Sequence, residues 1–180
     1  MTRRSVPGLA VCGAVLVMLG GCGGDDPAPS ASGWTTVTDE PSGASIDLPA
    51  PAEPEADTAH SADGSSVTLR NYTTTVAGGQ VEVGFNVLDT HGQRYDFAAG
   101  VREVASSLDG RVVSTRELDV DGHDAVDVEL AYGGDNVVMF QLVDLDDHVV
   151  QPLVAGPAAR RDLVKETYEQ LTSSLDVAGS

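Results

Sequence analysis

Lysine is nearly absent from this 180-residue chain: Lys165 is the only one, and ten basic residues in all stand against 28 acidic ones. Phosphate backbones are gripped by clustered Lys and Arg, so nucleic acid is excluded as a partner, and docking on anionic lipid headgroups is disfavoured for the same reason. Cysteine is also scarce, with Cys12 and Cys22 alone. Two residues in the N-terminal region supply neither a disulfide framework nor a cysteine metal site to the rest of the chain. Aromatic residues are few, three Phe, four Tyr and one Trp. Any ligand pocket must draw on the same rings that a core needs. No apolar run is long enough to span a bilayer: the longest, Leu9 to Leu19, has 11 residues, against the ~20 that a transmembrane helix requires.

What is present at the N-terminus has a definite order. Arg3 and Arg4 come first, then the apolar run, then Leu19-Gly20-Gly21-Cys22. A basic region, a short apolar region and small residues make a secretory signal peptide over residues 1–21. A cysteine directly after the small residues resembles the lipobox of bacterial lipoproteins, which implies lipid on the Cys22 sulfur and cleavage before it. Attachment through more than one acyl chain is stable, whereas a single chain binds marginally. The expected location is the outer face of the cytoplasmic membrane, with the membrane itself a partner through Cys22. Removal of Arg3 and Arg4 with the leader leaves eight basic residues against 28 acidic, a formal charge of −20. Such a charge keeps a surface soluble.

Residues 22–33 continue as the cysteine and a Gly, Pro, Ser and Asp tether without a large apolar side chain. Eleven residues of such coil span roughly 18 Å, enough to lift a domain clear of the headgroups. One domain is expected over residues 34–178, a length at which a core can form without cross-links. Pro49-Ala50-Pro51-Ala52-Glu53-Pro54 reads as a stiff loop inside it.

Beyond the tether the apolar pattern has mostly period two. Trp34 to Thr38 and Ala44 to Leu48 form a hairpin around Pro41-Ser42-Gly43. Val67 and Leu69 alternate toward Tyr72, and Val81, Val83, Phe85 and Val87 alternate after Gly78-Gly79. Phe97, Val101, Val104 and Leu108 then fall on one helical stripe from about Asp96 to Leu108, stopped by Gly110. Strands follow at Val112 to Val120, Ala125 to Tyr132 and Asn136 to Asp144, linked by Asp121-Gly122 and Gly133-Gly134. A strand at His148 to Val154 leads through Gly156-Pro157 into a closing helix striped by Val164, Tyr168, Leu171 and Leu175. Strands in runs with two separate helices predict an α+β domain, a largely antiparallel sheet with helices packed on its faces.

The lipobox, the tether, the Trp-led first strand, the Gly-x-Ser-Ile-x-Leu-Pro segment at Gly43 to Pro49 and the two helices are together similar to actinobacterial Lpq-type lipoproteins. That resemblance covers roughly Trp34 to Val177. It implies a PsbP/Mog1-like α/β/α sandwich and a role as an accessory or protein-binding module of the envelope.

Signatures of catalysis are missing: no G-x-S-x-G elbow, S-x-x-K, H-E-x-x-H, Walker loop or G-x-G-x-x-G occurs. His60, His91, His123 and His148 sit in turns or at strand ends. No enzyme activity, no cofactor and no metal are expected. The acidic turn Asp119-Val120-Asp121-Gly122-His123-Asp124, with Asp144, Asp146 and Asp147 in a second, attracts a calcium reading. Its glycine comes two residues early for a calcium loop, and a hairpin turn accounts for it. Two functions remain: a non-catalytic binding or accessory module with an envelope protein as partner, or a carrier or sensor of a small apolar ligand or lipid. The second needs a pocket lined by residues such as Phe85, Phe97, Tyr132, Phe140 and Tyr168.

Overall fold

The computed structural model describes residues 33–60 and 66–177. The leader, Cys22 and the tether lie outside the described residues, as does the side chain of His60. No described helix is long and apolar enough to cross a membrane.

Among the described residues, nine strands and two α-helices follow in the order β1 (Thr35–Thr38), β2 (Ser45–Leu48), β3 (Glu55–His60), β4 (Ser66–Val76), β5 (Val81–Asp89), α1 (Phe97–Ser107), β6 (Arg111–Val120), β7 (His123–Tyr132), β8 (Asn136–Asp144), β9 (His148–Pro157) and α2 (Arg161–Ser173). Strands β1 and β2 pair as a separate hairpin; the other seven form one sheet in the order β3-β4-β5-β9-β8-β7-β6. Every strand pair is antiparallel. Two meanders, β3 to β5 and β6 to β9, therefore join where β5 lies beside β9, and α1 carries the chain from the middle of the sheet to its far edge.

Backbone chemistry explains the tight connections. Asp121 and Gly122 adopt φ of 52° and 92°, and Gly133 and Gly134 adopt 55° and 84°. In the two-residue turn Asp121-Gly122, positive φ at both central residues matches hairpin twist to strand twist, while Gly133 and Gly134 open a three-residue turn between paired Tyr132 and Asn136. Helix α1 starts at Asp96, whose carboxylate accepts from the Ala99 amide at 2.9 Å.

The sheet is apolar on both sides at its centre, where β5, β8 and β9 are buried almost throughout. Alternate residues feed two separate cores. Val83, Phe85, Val87, Val150 and Val154 meet Ile46 and Leu48 of the hairpin and Val164 and Leu171 of α2. Leu88, Val126, Leu130, Phe140 and Val149 meet Val101, with Phe97, Val104 and Leu108, around α1. Each such side chain contributes about 1.5–3 kcal/mol by leaving water. Leu175 lies past the end of α2 yet still packs into the first core.

A buried ion pair fastens the hairpin to β4. The Asp39 carboxylate, fully inaccessible, accepts from Arg70 Nε at 2.6 Å and Nη2 at 2.9 Å, from the Tyr72 hydroxyl at 2.9 Å and from the Ser42 amide at 3.1 Å. Burial alone would push this carboxyl up; the hydrogen bonds from Arg70, Ser42 and Tyr72 and the Arg70 charge outweigh it and hold it below its ordinary value. Tyr72 is pushed up to about 12, by burial first and by its bond to Asp39 second.

Strand β3 adds to the sequence reading, which ends the Pro-rich loop at Pro54 and assigns no strand to Glu55–His60. It pairs with β4 from Glu55↔Asn71 to His60↔Ser66. As an edge strand, exposed from Glu55 to Thr58, it needs no alternation of apolar residues and gave no period-two signal. Helix α2 likewise begins at Arg161, after a 3-10 turn at Ala158–Arg160.

Candidate functional site

The helices cover the middle of the sheet and leave one side bare. Helix α2 packs on β9 and β8, while α1 reaches as far as β7. Strand β6 is exposed or half-exposed at every position. Its residues Val112 and Val113 are the two exposed large apolar side chains among the described residues, at 38% and 44%. Strand β6 thus forms an uncovered wing at the sheet's edge, with a cleft on each face where it meets β7.

On the α2 face the cleft has a volume of about 800 Å³ and a charged floor. Asp127 of β7 receives the Tyr168 hydroxyl at 2.7 Å and Gln141 Nε2 at 3.0 Å, both on Oδ1, while Arg116, its cross-strand partner on β6, donates to Oδ2. Two residues along, Glu129 is held by Arg161 Nε at 2.9 Å and Nη2 at 2.8 Å in a bidentate pair. Lys165 and Glu169 face each other at 3.6 Å one turn apart on α2. Burial above all, then the bond to Asp127 and its charge, push the Tyr168 hydroxyl far above the ordinary tyrosine value. Each floor carboxylate is thus matched to a guanidinium. No His or Cys lines this cleft, and its floor carboxylates accept from guanidinium, hydroxyl and amide donors. The arrangement suits recognition of a polar group.

On the α1 face a groove of about 740 Å³ separates α1 from β6 and β7. Phe97 and Val101 form the helix wall, Val112 the strand wall and Val126 the floor between them. Glu117, Asp124 and Asp144 line its edge together with Arg94 and Arg102. Asp144 accepts from the Tyr95 amide at 3.3 Å and the Asp146 amide at 3.1 Å. Burial nevertheless pushes its carboxyl up, ahead of these bonds and the Arg94 charge that lower it. Arg94 and Asp124 approach only to 3.6 Å, both largely in solvent, where an ion pair contributes little. Tyr95 stacks edge-on against Phe97 at 5.8 Å and slides under α1 because Gly100 has no side chain there.

The five aromatic residues singled out for a ligand pocket do not share one cavity. Phe85, stacked on Tyr72 at 5.7 Å, is closed inside the core on the α2 face, and Phe140 inside the core on the α1 face. Tyr132 is also buried on the α1 side. Tyr168 lines the polar cleft and Phe97 the apolar groove. Strand alternation separates them, since neighbouring residues enter opposite faces of the sheet.

The acidic turns are closed by their own backbone. Asp119 Oδ1 accepts from the Gly122 amide at 2.9 Å. His91 Nδ1 lies 2.9 Å from Asp89, and His123 Nδ1 3.2 Å from the Asp144 carbonyl. Among the described residues no group of three or more His, Cys, Asp or Glu is placed to hold a metal ion.

Sequence reasoning missed Arg116, Asp127, Glu129 and Arg161. The signal lay in Val126-Asp127-Val128-Glu129-Leu130, which puts two carboxylates on one face of a strand inside a sheet; charges so placed need partners.

No family model matches the chain, and no curated protein matches it. Among solved structures, the PsbP protein CyanoP of the cyanobacterium Synechocystis sp. PCC 6803 superposes with a TM-score of 0.55 at 15% identity, over 88% of this chain and 98% of that one. A protein of unknown function from Pseudomonas aeruginosa gives a TM-score of 0.44 at 12% identity, over 76% and 92% of the two chains, and carries no further weight. The chain therefore has a PsbP-like fold, a mostly antiparallel sheet with two helices, and at this identity the likeness extends to the fold alone.

Proposed function

We propose that the chain is an Lpq-type envelope lipoprotein, a PsbP/Mog1-like α/β/α sandwich held at the outer face of the cytoplasmic membrane by lipid on Cys22, and that it acts as a non-catalytic binding or accessory module. The anchor rests on the order of residues from Arg3 to Cys22. The observation that supports the binding role is the uncovered strand β6, exposed or half-exposed throughout, whose α2-side cleft has its floor carboxylates already neutralised by Arg116 and Arg161. Such a surface is built to recognise a partner and lacks a group poised to attack one. Chemical cross-linking in intact envelopes followed by affinity capture tests it: one protein recovered reproducibly is the expected result, and none recovered contradicts it.

A second reading, a carrier of a small apolar ligand, draws on the groove beside Phe97, Val101 and Val126. Native mass spectrometry of gently purified protein separates the two. A bare polypeptide mass agrees with the module, and added mass of a lipid or small molecule with the carrier.

A further inference from the structure

The groove between α1 and the wing joins an apolar surface to an acidic edge in a chain whose formal charge is −18. Val112 stands exposed on its strand wall beside exposed Val113, while the other large apolar side chains of the described fold are buried or half-buried. Val112, but not Val113, lines the groove, and with Phe97, Val101 and Val126 it makes an apolar surface open to solvent, the kind of surface that marks a contact site. Glu117 and Asp124 lie exposed along the edge and Asp144 half-buried at its end. The Arg94 contact to Asp124 is long and solvated. Arg102 lines the groove too, so three carboxylates stand against two guanidiniums there, and the balance is acidic in a chain that is acidic as a whole.

We propose that this groove docks a basic amphipathic segment of an envelope protein, its apolar face against Phe97, Val101, Val112 and Val126 and its Lys or Arg side chains toward Glu117, Asp124 and Asp144. The assignment rests on the binding-module reading and names its surface and partner chemistry. Charge complementarity selects a basic segment over an acidic one, and the apolar wall selects an amphipathic segment over a plain polycation. Helix α1, 11 residues long, extends about 16 Å, so three to four turns of a partner helix fill the groove.

The test uses the chain from residue 23 onward, which keeps every described element. Its probe is a synthetic helix of about 14 residues, four turns, with Leu at i, i+3, i+4 and i+7 and Lys elsewhere, and a Leu/Glu peptide of the same pattern serves as comparison. Fluorescence anisotropy at physiological salt reads the affinity. The Leu/Lys peptide binds and the Leu/Glu peptide does not. Val112→Glu and Glu117→Lys, both at exposed positions on β6, each weaken binding about tenfold, 1.4 kcal/mol. Glu55→Lys makes the same charge change at an exposed position on β3, the opposite edge of the seven-stranded sheet from β6, well beyond the ~8 Å screening length, and leaves the affinity unchanged. Equal weakening by Glu117→Lys and Glu55→Lys would mean attraction by net charge alone and overturns the proposal. Binding of both peptides, or displacement of the probe by a copurified lipid, overturns it too. A partner cross-linked in the envelope through another surface, with no probe binding in the groove, leaves the module reading standing and removes this site.

Discussion

Asp39→Ala removes one half of a buried ion pair and gives the sharpest test of how the hairpin is held. In the native protein its carboxylate accepts two bonds from Arg70, at 2.6 and 2.9 Å, one from Tyr72 and one from the Ser42 amide. Removal of one partner from a buried pair costs about 3–5 kcal/mol, because the other charge is left without compensation. The Arg70 side chain keeps 12% exposure and can turn toward water, which places the loss near the lower end, about 3 kcal/mol. At about 3 °C per kcal/mol for a domain of this size, the melting temperature falls by roughly 10 °C. Circular dichroism melts of four proteins check it: the native chain, Asp39→Ala, Arg70→Met and the double variant. In the Asp39→Ala background, Arg70→Met costs little or is neutral, since it removes the orphaned charge. The pH dependence has a defined sign. The Asp39 carboxyl titrates lower folded than unfolded, so its stabilisation is complete above the unfolded value near 3.9 and fades as pH falls through the folded one. The gap between native chain and Asp39→Ala therefore closes in acid. A drop of under about 1 kcal/mol at pH 7, or a gap that widens below pH 4, would refute this account of the pair.

Three further outcomes are expected. Gly100→Ala puts a Cβ 2.2 Å from the Tyr95 hydroxyl oxygen; overpacking costs about 1–3 kcal/mol and outweighs a helix-propensity gain of ~1 kcal/mol, and urea unfolding shows a net loss that Tyr95→Phe partly restores. Tyr168→Phe deletes the 2.7 Å bond to Asp127 and lowers stability by about 1–2 kcal/mol with the fold intact, read by the same unfolding curves. Cys22→Ser abolishes lipid attachment and moves the chain from the membrane fraction to the soluble one, checked by fractionation and by the mass of the N-terminal peptide; a variant that stays with the membrane contradicts the anchor.

Much of the fold was written locally. The period-two runs of β5 and β7, the Asp-Gly and Gly-Gly turns and the stripe Phe97-Val101-Val104-Leu108 each identify an element without reference to any other. Strand β6 was also legible, although both its faces meet solvent. Strand β3 was not, because Glu55 to Thr58 are exposed and require no pattern. Long-range facts were harder to see. Nothing near Phe85 says that it faces Pro152 across the β5–β9 seam, or that Phe140 enters the opposite core from Phe85. The candidate site combines both problems. Asp127 and Glu129 were visible as alternating charges, but their partners Arg116 and Arg161 come from β6 and from α2, 11 and 32 residues away. The Asp39–Arg70 pair spans 31 residues and two sheets. Pairings of this kind follow from topology, which propensity and periodicity do not encode.

The most direct test of the central claim places a photo-crosslinking amino acid at Val112, on the groove wall, in the lipid-anchored chain within intact cells, with Glu169 as the matched position on the other face. A discrete, higher-mass adduct to one envelope protein from Val112 and not from Glu169 is the predicted result. An adduct from Glu169 alone would leave the module standing on the α2-side cleft and remove the groove, whereas no protein adduct from either position, or adducts to lipid alone, would contradict a membrane-tethered protein-binding module.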